Sequence, residues 1–523
     1  MRTCGRDIKI LDCTLRDGGY VNGNIFEKEN IKHIIDSLKA SKVDLIEYGY
    51  LEDKKPISED KTEYRTFEAL FDVTKKEKGN ILMLLGEKYD IKELPLAPND
   101  ECYLRVSFHK KNAEAGINKI KKVIEKGYKV FVQPTVTMSY SRDELVAMLK
   151  MCNELKPVSV AIVDTFGQMT PDDVVAKVKI FDEVLDKGIA ISFHAHNNLQ
   201  NAYANAIKFI DSASEERPII IDTSIYGMGR GAGNLPTELI MDYLNKNFGK
   251  SYDIDPLLTV TDNVISKIKE KSGWGYSLPY YLSGIFGVHP SYILAFMERK
   301  TQNSSDIKNL IKMISDDRKA EFDADYADEL YNSYNNKEIN DDESKKRLKE
   351  IIKNRNILLI GPGKNLEKYK DKVEDYIEKN NPYIISINGK YDVETDAIFF
   401  SNKKRYEDMD LEKDDRTILL TSNIEMNNRE YLEFNYNTYL AKGYGVSDNA
   451  LLMLLNILRS INVKRIALAG FDGYSAEENF YKGSLELLLD KNYIDELNKT
   501  IKINIKKLRD DVIIESITPS KNM

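Results

Sequence analysis

Two histidines and an aspartate set the chemistry open to this chain. In Phe193-His194-Ala195-His196-Asn197-Asn198 the imidazoles stand two residues apart, and side chains two apart on a β-strand leave the same face. If residues 190–196 form a strand, Ala190, Ser192, His194 and His196 share a small polar face, while Ile191 and Phe193 share a large apolar one. The chain has only five histidines, so a pair in strict alternation reads as a metal clamp rather than as core filling. The second stretch is Leu11-Asp12-Cys13-Thr14-Leu15-Arg16-Asp17-Gly18-Gly19-Tyr20. A carboxylate at Asp17 with two neutral imidazoles makes three protein ligands and leaves positions for water and substrate, which suits a catalytic divalent ion. A 2-oxo acid could chelate that ion through its carboxylate and ketone oxygens. The ion would polarise the carbonyl, and Arg16 would stabilise the enolate formed when the adjacent carbon–carbon bond breaks.

Such ligands, far apart in the chain, need a scaffold that brings strand ends together. Strands are expected at Ile8–Cys13, Val43–Tyr48, Ile81–Leu85, Cys102–Ser107, Lys129–Pro134, Val158–Val163, Ala190–His194 and Pro218–Ser224, with amphipathic helical patterns between them and only the third crossover poor in helix. Eight βα units in roughly 240 residues is the arithmetic of a (β/α)8 TIM barrel, whose chemistry sits at the carboxyl ends of its strands. Arg16 and Asp17 follow the first strand, Glu47 ends the second, His109 follows the fourth, Asp164 ends the sixth, the histidine pair ends the seventh and Asn234 follows the eighth. All would converge on one mouth.

The 523 residues suggest three parts: a catalytic barrel over 1–248, a helical extension and charged connector over 249–345, and a C-terminal α/β domain over 355–523. The last shows a Rossmann-like, doubly wound pattern, with strands expected at Ile357–Ile360, Tyr383–Ile387, Ala397–Phe400, Thr417–Thr421, Arg465–Ala469 and Val512–Ile517. Gly361-Pro362-Gly363-Lys364 follows the first of these. A glycine turn there can bring backbone amides to a phosphate, or it can be a purely structural turn, since full dinucleotide spacing is lacking and proline removes a donor. A net charge of -8 argues against nucleic acid as a partner. The absence of a long apolar run argues against a membrane, so a cytoplasmic protein is expected. Cys4, Cys13, Cys102 and Cys152 are widely spaced, which fits reduced structural thiols, with Cys13 near the site.

The motifs carry a family resemblance. Leu15-Arg16-Asp17-Gly18, Ile46-Glu47, Val163-Asp164-Thr165, His194-Ala195-His196-Asn197-Asn198-Leu199 and Gly231-Ala232-Gly233-Asn234 resemble the metal-dependent superfamily of pyruvate aldolases and acyl-CoA synthases, the 3-hydroxy-3-methylglutaryl-CoA lyase-like barrels. Within it, Leu104-Arg105-Val106-Ser107-Phe108-His109 looks most like the 4-hydroxy-2-oxovalerate aldolases. The resemblance implies Asp17, His194 and His196 as ligands of a divalent metal (Mn2+ or Mg2+ first, Zn2+ or Co2+ otherwise), Arg16 as enolate stabiliser, and Asn234 near the metal. It casts Glu47, His109 and Asp164 as substrate contacts or polar support. It implies a 2-oxo acid and an aldehyde as substrates and a homo-oligomer.

Those aldolases carry a histidine where Tyr20 stands and a tyrosine near the position of His289, so Tyr20 and His289 either form a swapped proton-transfer pair, or Tyr20 only shapes the pocket and His289 caps the turn at Pro290. The alternatives are a Claisen-type synthase joining an acyl-CoA to a 2-oxo acid, and a non-catalytic barrel carrying a nucleotide-binding C-terminal domain. In that domain Tyr444-Gly445-Val446-Ser447-Asp448-Asn449 and Ala469-Gly470-Phe471-Asp472-Gly473 resemble bacterial sialyltransferase-like, pyrophosphate-binding domains. This implies a nucleotide-linked ligand held by Gly361, Gly363, Asn388, Ser447 and Asp472.

Overall fold

The barrel owes its form to strands that pack an apolar face outward under helices and a graded face inward. The computed structural model describes residues 5–54, 56–74, 80–85, 89–298, 302–411, 414–426, 430–441, 448–475 and 491–523. Two compact units emerge: Met1–Pro290 with Lys319–Glu321, and Ser291–Arg318 with Phe322–Met523. The division falls inside the stretch expected as a helical extension, because the helices from Pro290–Glu298 onward pack among themselves, as where Tyr292 meets Phe322 edge to face at 5.1 Å.

In the first unit the strands are β1 (Ile8–Asp12), β2 (Leu45–Leu51), β3 (Glu63–Tyr64), β4 (Asn80–Leu85), β5 (Cys102–Phe108), β6 (Lys129–Pro134), β7 (Ser159–Asp164), β8 (Ala190–Ala195) and β9 (Ile219–Thr223). All except the two-residue β3 join a ring in which every pairing is parallel and which closes where β1 pairs with both β2 and β9. This is an eight-stranded parallel barrel ringed by helices, the TIM-barrel architecture expected from the strand count. Helices Arg142–Leu155 and Pro171–Val184 start in full capping boxes, Ser141 with Glu144 and Thr170 with Asp173, and Pro171 sits in the first turn. No described helix is long and apolar enough to cross a membrane.

The interior is layered. Leu11, Ile81, Phe131, Ala190 and Ile220 form an apolar floor with Cys13. One inward step toward the carboxyl ends, strands β2, β5, β8 and β9 present Glu47, Arg105, Ser192 or His194, and Asp222, all buried. Inward and outward residues alternate along each strand, so an apolar floor and a charged layer can occupy one barrel.

The second unit adds β10 (Ile357–Ile360), β11 (Tyr383–Ile387), β12 (Ala397–Phe400), β13 (Thr417–Thr421), β14 (Leu432–Phe434), β15 (Arg465–Ala469) and β16 (Ile513–Ser516). They make one open parallel sheet in the order β14-β13-β12-β11-β10-β15-β16. The order reverses beside β10, as in a doubly wound sheet. Its six expected strands are found, and β14 is additional: three residues with only Leu432 and Phe434 buried give too short a signal to read.

Candidate metal centre

The loop after β1 and the end of β8 meet across the mouth of the barrel. Asp17, His194 and His196 are all buried and offer ligand atoms that lie within 4.8 Å of one another. The two imidazoles stand nearly perpendicular at 5.2 Å between centroids, as two same-face side chains of one strand can. His194 Nδ1 lies 3.0 Å from Asp222 Oδ2, which leaves Nε2 as the nitrogen free to coordinate. A ligating histidine whose other nitrogen is held by a carboxylate has its tautomer and ring orientation fixed.

Two arginines offset most of the carboxylate charge. Arg16 donates from Nη1 to Asp17 Oδ1 at 2.6 Å and from Nε to Glu47 Oε2 at 2.9 Å. Arg105 donates through both terminal nitrogens to Asp222, and its Nε lies 3.5 Å from Glu47 Oε1. Burial alone would raise the Asp17 pKa, but Arg16 and the Asn234 hydrogen bond hold it well below the usual carboxylate range. Asp222 is likewise drawn down to about 2 against the burial penalty, chiefly by Arg105. Burial first, with Arg230 and Arg16 adding to it, pushes His196 down to about 3, so its ring is neutral and keeps a lone pair. An anionic carboxylate beside a neutral imidazole is the protonation state a divalent cation needs.

Two residues that bond Asp17 each keep one buried atom without a partner. Asn234 Nδ2 donates to Asp17 Oδ2 at 2.7 Å and to the Met228 carbonyl at 3.1 Å, while its Oδ1 has no hydrogen-bond partner. Arg16 Nη2 is also buried without one. Buried polar groups are seldom left unpaired, so a spare acceptor and a spare donor beside the three candidate ligands fit a site that receives an ion and an anionic oxygen.

The remaining expected residues divide. Glu47 spaces Arg16 from Arg105. Asp164 turns away from the cage and accepts the backbone N–H groups of Gln168 and Met169 at 2.8 and 3.0 Å; burial, partly offset by those bonds, raises it to about 7. His109 is only half-buried and lies 3.4 Å from Glu321. Tyr20 is exposed at the mouth, edge-on to Tyr50 at 5.8 Å between ring centroids. The Arg230 guanidinium contacts both members of the expected proton-transfer pair, 4.4 Å from the Tyr20 ring centroid and, through Nη1, 3.4 Å from His289 Nε2. Burial, then Arg230 and His109, push His289 down to about 4.

Arg105 and Asp222 were not singled out as site residues. The signal was there in an arginine inside the apolar run of β5 and a lone aspartate on the inward register of β9.

In the second unit Gly361 and Gly363 meet Asp472 where β10 and β15 end. The Gly361 and Gly363 amides donate to the carbonyls of Ala469 and Gly470 at 2.9 and 2.7 Å, and Asp472 Oδ2 accepts the Asn365 N–H at 2.8 Å. The protein's own acceptors thus occupy the glycine turn. Asn388 follows β11 in a left-handed conformation, its N–H donating to the Phe399 carbonyl at 2.8 Å. Ser447 lies outside the described residues.

Comparison with known proteins agrees with this geometry. Residues 101–264 match the HMGL-like family model. A 4-hydroxy-2-oxovalerate aldolase of Bacillus cereus is 30% identical over 263 residues, covering 49% of this chain and 74% of the relative. Another, from Carboxydothermus hydrogenoformans, is 26% identical over 328 residues, covering 58% and 91%. An oxaloacetate decarboxylase of Mycobacterium tuberculosis is 26% identical over 297 residues, covering 55% and 84%. The matched residues run from β5 past β9 and include the histidine pair, Asp222 and Asn234; with the likeness to the Bacillus cereus aldolase, they make this chain a member of the HMGL-like family.

Proposed function

We propose that this protein is a divalent-metal-dependent aldolase that cleaves or forms a 4-hydroxy-2-oxo acid through a pyruvate-type enolate. The observation that carries the reading is the buried Arg16 Nη2 without a partner beside Asp17, His194 and His196. Those three residues would hold the ion, with Mn2+ or Mg2+ the first choice, and when bound it supplies electrophilic polarisation of the 2-oxo carbonyl. Arg16 spends Nη1 on Asp17 and Nε on Glu47, so Nη2 is the donor left for the enolate oxygen as the bond between carbons 3 and 4 breaks. Asp222 and Arg105 keep His194 in register. At the mouth, Tyr20 and His289 are proposed to handle the proton of the 4-hydroxyl. Burial and Arg230 hold His289 down to about 4, so its ring is neutral and has a lone pair to accept that proton.

The likeness to an oxaloacetate decarboxylase supports a second reading, since loss of CO2 from a 3-carboxylated 2-oxo acid leaves the same enolate. Carbon dioxide rather than aldehyde as co-product would identify it, and release of a coenzyme A thiol would identify the Claisen alternative. The test is pyruvate release from a panel of 4-hydroxy-2-oxo acids with and without Mn2+ or Mg2+, in wild type and His194→Ala. Metal-dependent pyruvate release that His194→Ala abolishes is expected. Release that persists in metal-free protein would sink the proposal.

A further inference from the structure

The reaction above leaves one cation at the mouth without a task. Arg230 lies in the loop that follows β9, and its side chain is exposed. The loop is nevertheless pinned. A Cβ at Gly229 would stand 2.5 Å from Asn234 Nδ2, the Ala232 N–H donates to Asn198 Oδ1 at 2.9 Å, and the Gly233 N–H donates to the Arg230 carbonyl at 3.2 Å. Asn234 bonds Asp17 and Asn198 follows the histidine pair, so the backbone that carries Arg230 is tied to the same residues as the cage.

The guanidinium rests against Tyr20 and His289, and among the described residues no carboxylate pairs with it. Other cations of the first unit have carboxylate partners: Arg16 has Asp17 and Glu47, Arg105 has Asp222, and Lys111 has Glu321 at 2.6 Å. With a divalent cation in place, Asp17, Glu47 and Asp222 against Arg16, Arg105 and the ion leave one positive charge, and Arg230 adds a second. The carboxylate of a 2-oxo acid answers only the first. A fixed, unpaired guanidinium is a recognition element for carboxylate or phosphate.

Resting on the aldolase reading, we propose that Arg230 selects an aldehyde partner carrying its own anionic group, so that the full substrate is a dianionic 4-hydroxy-2-oxo acid. Arg230 touches both side chains assigned to the 4-hydroxyl proton, which puts it on the aldehyde half of the substrate, and the anionic group lies a few bonds beyond carbon 4. A carboxylate and a phosphate share this chemistry.

The experiment runs the condensation of pyruvate, with Mn2+, against propionaldehyde, succinic semialdehyde and glyceraldehyde 3-phosphate, in wild type, Arg230→Gln and Arg230→Lys. Separately, wild type with pyruvate and Mn2+ but no aldehyde is followed by NMR for deuterium exchange into the pyruvate methyl group. The wild type is expected to prefer one of the two anionic aldehydes over propionaldehyde by roughly 30-fold or more in kcat/KM, the scale of a charge-assisted hydrogen-bonded pair. The preferred aldehyde names the anion. In Arg230→Gln that preference should collapse through KM, and Arg230→Lys should restore part of it. Methyl exchange with no anionic preference, or a preference that survives Arg230→Gln, overturns the proposal and leaves the aldolase standing. Absence of exchange in wild type takes both down.

Discussion

Asp222→Asn tests whether the histidine clamp depends on the residue behind it. In the native protein Asp222 has both oxygens engaged, Oδ2 with His194 Nδ1 at 3.0 Å and Oδ1 with Arg105 Nη2 at 3.1 Å. The asparagine keeps one acceptor oxygen, and Arg105 will claim it, because the guanidinium is buried and its other carboxylate, Glu47, is 3.5 Å away. The amide nitrogen then faces His194 and donates to Nδ1. The imidazole proton moves to Nε2, the nitrogen meant for the ion. Loss of such a supporting carboxylate costs about 10- to 100-fold in metal affinity, or roughly 1.4–2.8 kcal/mol. The half-compensated Arg105 costs a further 2–3 kcal/mol, roughly, of metal-free stability. Mn2+ affinity by calorimetry and thermal melts in chelator separate the two effects. A variant that melts earlier yet binds Mn2+ within about twofold of wild type would show that Asp222 acts on the fold alone, and the tautomer argument would be refuted.

Two other substitutions read the scaffold. Burial, against hydrogen bonds from Thr14 and Thr237, raises Asp12 from the ordinary carboxylate range to about 6. The folded state therefore keeps its proton longer than the unfolded chain, and the associated stability is fully present below about pH 4 and lost as pH rises through about 6, on the order of 3 kcal/mol. Asp12→Asn should flatten urea stability across that window, and wild-type and variant curves that stay parallel would contradict the assignment. In Gly363→Ala a Cβ would stand 2.2 Å from Asp472 Oδ1 and 2.6 Å from the Gly470 carbonyl, an overpacking worth about 2 kcal/mol or more. Thermal melts should show a loss of stability with Mn2+ affinity unchanged, and an unshifted melt would mean that the turn has slack.

Every barrel strand lies within two or three residues of its expected bounds, because β-rich runs alternating with amphipathic helical patterns mark a (β/α)8 chain plainly. That the side chains at 194 and 196 would lie side by side was legible from strand register, and the fold brings Asp17 to them. Position at a strand end said less about partners: Asp164 and His109 both sit there, one tying down its own turn as polar support and the other lying against Glu321. A sequence shows that a side chain lies near the mouth, but not which way the loop turns it. Asp222 escaped for the opposite reason, since its environment exists only once β8 and β9 lie side by side. For the glycine turn at 361–363 the sequence leaves a phosphate cradle and a structural turn both open, because its packing against the Gly470 carbonyl and Asp472 is a contact made across more than a hundred residues.

Closure of the ring at β1 has a temporal meaning. The hydrogen bond from Asn234 to Asp17 spans 217 positions, and β1 gains its second neighbour only when β9 arrives. Under the proposed ligand set, a ribosome must therefore have released the chain through β9 before Asp17 is held beside the two histidines. Nascent chains halted before residue 219 should remain blind to Mn2+, and capture of the metal becomes a late receipt for a finished barrel rather than a seed for building one.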